Sequence, residues 1–281
     1  TSFFKMHSIH FLFLFLFTFH RTNAISIVDT ILPMGKTLAL SPVTNFISKS
    51  FQITVDTNSL PFEYASAYGN QTKLKNITTK LQTAINTVLA NGGGKVIIPN
   101  GKYFIDNNIL IDPGYSSATS VTITGSNVLI APKKGSNGSL LCFLAKTFSK
   151  PVIHEVRFEG LSIDGMYYWG DTKSHFEKAD KKPTEILSVI RIINYKYSHI
   201  VNCRIRNIYG QTIYINSDDS NRYKDSTIRA SYVQIYNNNL YNCWGQRFYK
   251  TSDGVFDNYG DGINVSCAAN GAVFNNIVYN N

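Results

Sequence analysis

Asn207-Ile208-Tyr209-Gly210-Gln211-Thr212-Ile213-Tyr214 returns 35 residues later as Asn242-Cys243-Trp244-Gly245-Gln246-Arg247-Phe248-Tyr249. Within each copy apolar and polar residues tend to alternate, as in a half-buried strand, and Gly interrupts both copies at the same place. The preceding segments repeat at the same offset, Ile200-Val201-Asn202-Cys203-Arg204-Ile205 against Ile235-Tyr236-Asn237-Asn238-Asn239-Leu240. Ser217-Asp218 and Ser252-Asp253 keep it too. A third copy, Tyr259-Gly260-Asp261-Gly262-Ile263-Asn264-Val265, matches Tyr209 to Ile215 at an offset of 50, and Val273-Phe274-Asn275-Asn276-Ile277 begins another. Self-similarity of this kind marks stacked repeats, in which each unit buries its apolar side only against its neighbours. A β-sandwich does not usually repeat a turn signature at a fixed offset. The pattern predicts an all-β fold of stacked β-helix coils, with Ile, Val and Leu inward and tight turns at Asn and Gly. Stacked Asn side chains are expected to hydrogen-bond from coil to coil.

Upstream, Val121-Thr122-Ile123, Val128-Leu129-Ile130, Val156-Arg157-Phe158, Leu161-Ser162-Ile163 and Val189-Ile190-Arg191-Ile192 read as short strands without helices between them. One helix stands out. Leu74, Ile77, Leu81, Ile85, Val88 and Leu89 form a single apolar stripe, and Gly92 ends it. Lys95-Val96-Ile97-Ile98 and Tyr103-Phe104-Ile105 follow as strands around the turn Pro99-Asn100-Gly101. Residues 25–70 show no clear period and read as an irregular N-terminal arm, which leaves 71–281 as the β-helix domain.

The 281 residues, 43% hydrophobic and 16% charged, are those of a globular chain rather than a disordered one. Asparagine, at 28 residues, crowds the last third and argues against a mainly helical protein. Phe11 to Phe19 reads FLFLFLFTF, too short to span a membrane and suited to the core of a secretory signal. Thr22-Asn23-Ala24 supplies a small residue for cleavage, so residues 1–24 are read as a signal peptide and the protein as secreted, with no stable membrane span. Cys142, Cys203, Cys243 and Cys267 allow three pairings, and a domain of this size does not require them. Glycosylation sequons start at Asn70, Asn76, Asn137 and Asn264. The net charge of +9 falls to +7 once Lys5 and Arg21 are removed with the signal. A basic secreted protein favours an acidic partner, and without a dense cationic stripe nucleic acid is disfavoured.

Leu81-Gln82-Thr83-Ala84-Ile85, followed by Gly92-Gly93-Gly94-Lys95-Val96-Ile97-Ile98-Pro99-Asn100-Gly101-Lys102-Tyr103, resembles the N-terminal signature of the pectate-lyase superfamily. Phe158-Glu159-Gly160-Leu161-Ser162-Ile163-Asp164-Gly165 is similar to the early coils of those proteins. The resemblance covers roughly residues 74 to 281. It implies a single-stranded right-handed parallel β-helix with an N-terminal capping helix, an architecture that hosts lyases, hydrolases and non-catalytic proteins. The sequence stops within a repeat, so truncation at the C-terminus is expected.

Glycoside hydrolysis requires two carboxyl groups flanking the bond, about 5–9.5 Å apart, which acids on adjacent coils about 4.8 Å apart can provide. Residues 246–260 read as an insertion, and insertions in a solenoid map to loops on a binding face. They carry Arg247, Tyr249, Lys250, Asp253, Asp257 and Tyr259, a set suited to a charged sugar. Asp218 and Asp253, at equivalent repeat positions, are expected to lie near each other. Thr251-Ser252-Asp253-Gly254 and Gly260-Asp261-Gly262-Ile263 loosely resemble two polygalacturonase motifs of the superfamily. Asp253, Asp261 and Asp257 are therefore the expected acid and base residues, with Arg247, Lys250, Tyr249 and Tyr259 binding substrate. Tyr168 and Trp169, in the loop from Met166 to Pro183, form a further expected subsite. The expected activity is hydrolysis of an acidic, uronic-acid polysaccharide without cofactor or metal. The alternatives are a calcium-dependent lyase, with calcium at Asp218 and Asp219 and Arg247 or Lys250 as base, and a non-catalytic binding or adhesion protein.

Overall fold

The computed structural model describes residues 51–279 apart from 68–69, 115–118, 127, 133–142, 147–153, 166–187, 210, 217–229, 245, 251–255, 260–261 and 267. The proposed signal segment lies outside the described residues. All described residues belong to one compact unit, 45–281.

The unit opens with β1 (Gln52–Thr54), the antiparallel pair β2 (Phe62–Ala67) and β3 (Asn70–Asn76), and the helix α1 (Thr78–Ala90). Two of these strands fall in the stretch read as an irregular arm, and a third begins at its last residue: β1 joins a parallel sheet, and β2 pairs with β3. The helix begins later than its stripe suggests. Leu74 belongs to β3, and Asn76 Oδ1 accepts from Thr78 N over 3.1 Å, turning the chain from strand into helix. Leu81, Ala84, Ile85 and Val88 are the buried face of α1.

Strands then come in triplets. They are β4 (Gly94–Ile97), β5 (Gly101–Ile105) and β6 (Ile109–Ile111); β7 (Thr119–Thr124), β8 (Val128–Pro132) and β9 (Phe143–Lys146); β10 (His154–Glu159), β11 (Ser162–Asp164) and β12 (Ser188–Ile193); and β13 (Tyr197–Val201), β14 (Arg204–Tyr209) and β15 (Gln211–Asn216). The next triplet is β16 (Ala230–Tyr236), β17 (Asn239–Trp244) and β20 (Ile263–Val265), interrupted by β18 (Gln246–Lys250) and β19 (Phe256–Tyr259). β21 (Ala268–Phe274) and β22 (Ile277–Tyr279) complete the described strands.

The first members of the triplets, with β1 and β21, form parallel sheet A. The second members, with β3 and β22, form parallel sheet B, to which β2 adds an antiparallel edge. The third members form parallel sheet C. The two sequence offsets are sheet registers. Ile200 pairs with Ile235 and Arg204 with Asn239, at 35 residues, whereas Ile213 pairs with Ile263, at 50. Inward positions repeat as columns of Val, Ile, Leu and Phe, including Ile123, Phe158, Ile200 and Ile235 in sheet A and Phe143, Ile190 and Ile213 in sheet C, all fully buried. α1 packs its stripe into the same core.

The corner from sheet A to sheet B is two or three residues long in every triplet. Gly160, Asn202, Asn237 and Asn275 occupy it at φ of 70°, 55°, 57° and 53°. Positive φ is costly for most residues and tolerated by Gly and Asn. The glycine run before β4 has a separate reason: a Cβ on Gly93 would lie 2.5 Å from Ser120 O, and one on Gly94 would strike Phe51 O.

Candidate functional site

Length variation separates the corners of the stack. While the A-to-B corner is constant, the connections entering sheet C range from one residue to the 23 between β11 and β12. Those leaving it range from two residues to the 13 between β15 and β16. Loops on a rigid scaffold carry binding and catalytic groups. The exterior of sheet C, with variable connections at both ends of its strands, is therefore the candidate site.

Alternation builds its floor. Ile190, Ile192, Ile213 and Ile215 point inward and are fully buried, which turns Arg191, Tyr214 and Asn216 outward. Register places Leu110, Leu144, Arg191, Tyr214 and Asn264 in one row across five strands. The Arg191 guanidinium lies 5.2 Å from the Tyr214 ring centre, within cation–π range. Asn216 Nδ2 donates to Tyr214 Oη over 2.7 Å, and Ser266 Oγ donates to Asn264 Oδ1 over 3.3 Å. Arg191 Nε is shielded from solvent with no hydrogen-bond partner among the described residues. The floor thus offers a cation, a ring and amides, the groups that bind a carboxylate-bearing, hydroxyl-rich ligand.

All nine expected site residues lie on two connections entering sheet C. Tyr168 and Trp169 belong to the one before β12, and Asp253 and Asp261 to the one before β20; these four lie outside the described residues. Arg247, Tyr249, Lys250, Asp257 and Tyr259 belong to β18 and β19, which form a two-stranded antiparallel ribbon. Its register sets Tyr249 opposite Asp257 and Gln246 opposite Tyr259. The insertion is thus a paired ribbon rather than an irregular loop. The 35-residue likeness of Gln211–Tyr214 to Gln246–Tyr249 is one of sequence alone, because the strand beside β15 is β20. The expected neighbourhood of Asp218 and Asp253 does not follow from that register, and both lie outside the described residues.

Sheet A carries a second polar group that sequence reasoning missed. Ser120 Oγ donates to Glu155 Oε2 over 2.9 Å, and His199 Nε2 lies 3.1 Å from Glu155 Oε1, off the line of the ring N–H. His199 Nδ1 is 3.2 Å from Gln234 Oε1. Burial alone would raise the Glu155 carboxyl, but the close approach of His199, the hydrogen bond from Ser120 and the charge of Arg157 outweigh it and hold it below the usual range. Ser120 faces the carboxylate and not the imidazole, so this is not a nucleophile–base pair. Glu159, four residues along the same strand, lies ~13 Å from Glu155 by strand rise, too far to share a glycosidic bond with it.

On sheet B, Asp164 accepts from Arg206 Nε at 2.7 Å and Asn207 Nδ2 at 3.0 Å, and Arg206 Nη1 donates to Tyr241 Oη at 2.7 Å. Cys203 and Cys243 are buried in the core. Among the described residues no three His, Cys, Asp or Glu side chains gather as a metal site, and no helix is long and apolar enough to cross a membrane. Period-2 alternation in Val189–Ile193 was the available signal for Arg191; a single Arg in a strand does not otherwise announce a site. Comparison with protein-family models, with curated proteins and with solved structures gives no match.

Proposed function

We propose that the chain is a right-handed parallel β-helix, with α1 as its cap, of the kind found in the pectate-lyase superfamily, and that it is a secreted protein hydrolysing an acidic polysaccharide on the exterior of sheet C. The carrying observation is the division of the corners: the A-to-B corner stays at two or three residues, and all nine expected site residues fall on connections entering sheet C. Arg191 over Tyr214 supports an anionic sugar, since a guanidinium can pair with a uronate carboxylate while the ring receives a sugar face. Asp253, Asp257 and Asp261 supply the acid and base, and Arg247, Lys250, Tyr249, Tyr259, Tyr168 and Trp169 hold the polymer. A lyase is the second reading, favoured by Arg191, a cation on the floor suited to neutralising the carboxylate during abstraction of the α-proton; calcium would then assist.

Polygalacturonate, pectin, alginate and neutral glucans, each with and without calcium, test both readings. Reducing ends without unsaturated uronate are expected, and Asp253→Asn or Asp261→Asn should abolish them. Unsaturated product would replace hydrolysis by elimination. Turnover unchanged in both Asp variants would remove the residue assignment. Silence on every polymer would favour a binding protein.

A further inference from the structure

A cleft of about 410 Å³ lies at the corner between sheets A and B, the corner that does not border sheet C. Asn202, Asn237, Asn275, Asn239, Arg204 and Ile277 line it. Asn202, Asn237 and Asn275 are exposed and stand at the same place in successive triplets, so their amides recur about every 4.8 Å along the stack. Backbone conformation does not by itself demand those amides: Gly160 takes the same corner one triplet earlier without one.

Aromatic pairs flank the cleft. Tyr236 and Phe274, immediately before Asn237 and Asn275, stack at 4.9 Å with 5° between their planes. Tyr241 and Tyr279, two residues beyond Asn239 and Ile277 on the same face of sheet B, stack at 5.2 Å and 7°. Arg204 is exposed in the cleft, whereas the next cation on that face, Arg206, is held by Asp164 and Tyr241. The stacked rings turn their faces to each other and wall the cleft with their edges; its amides exchange hydrogen bonds with hydroxyls, and a guanidinium pairs with a carboxylate.

We propose that this corner is an auxiliary binding site, separate from sheet C, for an extended acidic polysaccharide lying along the stack. The choice of polymer rests on the function proposed above; the site rests on the cleft, its row of exposed amides and Arg204. It would hold the polymer without acting on it.

Calorimetric titration of the full chain with oligogalacturonate, and with a neutral β-glucan oligomer of equal length, tests the site. Arg204→Gln and Asn237→Gly are the variants, because glycine keeps the positive φ while removing the amide. Each should raise the Kd for oligogalacturonate at least fivefold, with the melting temperature within about 2 °C of the parent. The neutral oligomer should bind more weakly and ignore Arg204→Gln. Kd values within twofold of the parent in both variants, or equal affinity for the two oligomers, would overturn the proposal. Cleavage is read in parallel. Binding that depends on Arg204 and Asn237 in a protein that cleaves nothing would support the corner site while removing the proposed hydrolysis. Cleavage together with binding indifferent to both variants would remove the corner site alone.

Discussion

Asn238 Nδ2 donates to Asn276 Oδ1 over 2.9 Å, and the two side chains hold equivalent places in adjoining strands at the A-to-B corner. Each amide also binds backbone of the preceding triplet. Asn238 donates to Ile200 O at 2.9 Å and accepts from Cys203 N at 2.9 Å; Asn276 donates to Ile235 O at 2.8 Å and accepts from Asn238 N at 3.0 Å. The N–H groups of Cys203 and Asn238, which the tight corner takes out of the sheet ladder, are satisfied by the next asparagine along the stack.

Asn238→Ala should therefore destabilise strongly. Asn238 is 1% exposed, and the variant leaves Cys203 N unpaired in the interior and removes the amide's bonds to Ile200 O and Asn276. A loss of about 2 kcal/mol is expected, chiefly from the buried N–H left unpaired. Urea unfolding measures it, and a loss below about 1 kcal/mol would show that water replaces the amide.

The outer row of the same corner answers to conformation. Asn202 has φ 55°, so Asn202→Val should cost about 1–2 kcal/mol while Asn202→Gly stays near parental stability. Equal melting curves for Val and Gly would refute the conformational account.

Acid should destabilise the protein in two steps. His154 is fully buried, and burial lowers its pKa below 6.5 against the opposing charge of Asp112. A lowered folded pKa means the unfolded chain binds the proton first, so stability is complete above pH 6.5 and declines as pH falls below it. Glu155, also lowered, adds a second decline as pH falls from about 4.5 through its folded value. Unfolding free energies from pH 8 to about pH 2 should show both, and His154→Gln, which does not titrate, should remove only the upper one.

Cys203 and Cys243 should be inert in the native state. Burial pushes both thiols up to about 11, which leaves little thiolate at pH 8. Iodoacetamide labelling followed by peptide mapping should find both unmodified in the native protein and modified in concentrated urea. Native labelling would mean that the core opens readily at sheet B.

Arg191 should matter to chemistry more than to folding. Arg191→Ala is expected to lower kcat/KM on an acidic polymer by about tenfold or more, the scale of losing a charge-assisted contact. Arg191→Lys should recover part of it. Unchanged kinetics in both would move the reaction away from the floor of sheet C.

The repeats were legible because contacts in a stack are between neighbours, so the offsets of 35 and 50 residues appear directly as sheet registers. The corner asparagines were legible for the same reason, and Asn207 to Asn242 adds another link, at 3.1 Å. The insertion was legible in position and length but not in form. Gln246–Lys250 resembles the strand one repeat earlier, and local pattern cannot tell a copy in the stack from a ribbon that pairs with Phe256–Tyr259. Glu155 and His199 are 44 positions apart and meet only because β10 and β13 adjoin.

Residue pattern alone determined the stacked β repeats, their inward Ile and Val positions and their Asn corners, because each depends on periodicity and on which residues tolerate positive φ. Tertiary structure decided which copy lies beside which, that the insertion pairs with itself, and that Arg191 rests over Tyr214. Those relationships depend on connections of one to 23 residues entering sheet C. Connection length shifts the register between strands without leaving a trace in the alternation of the strands themselves.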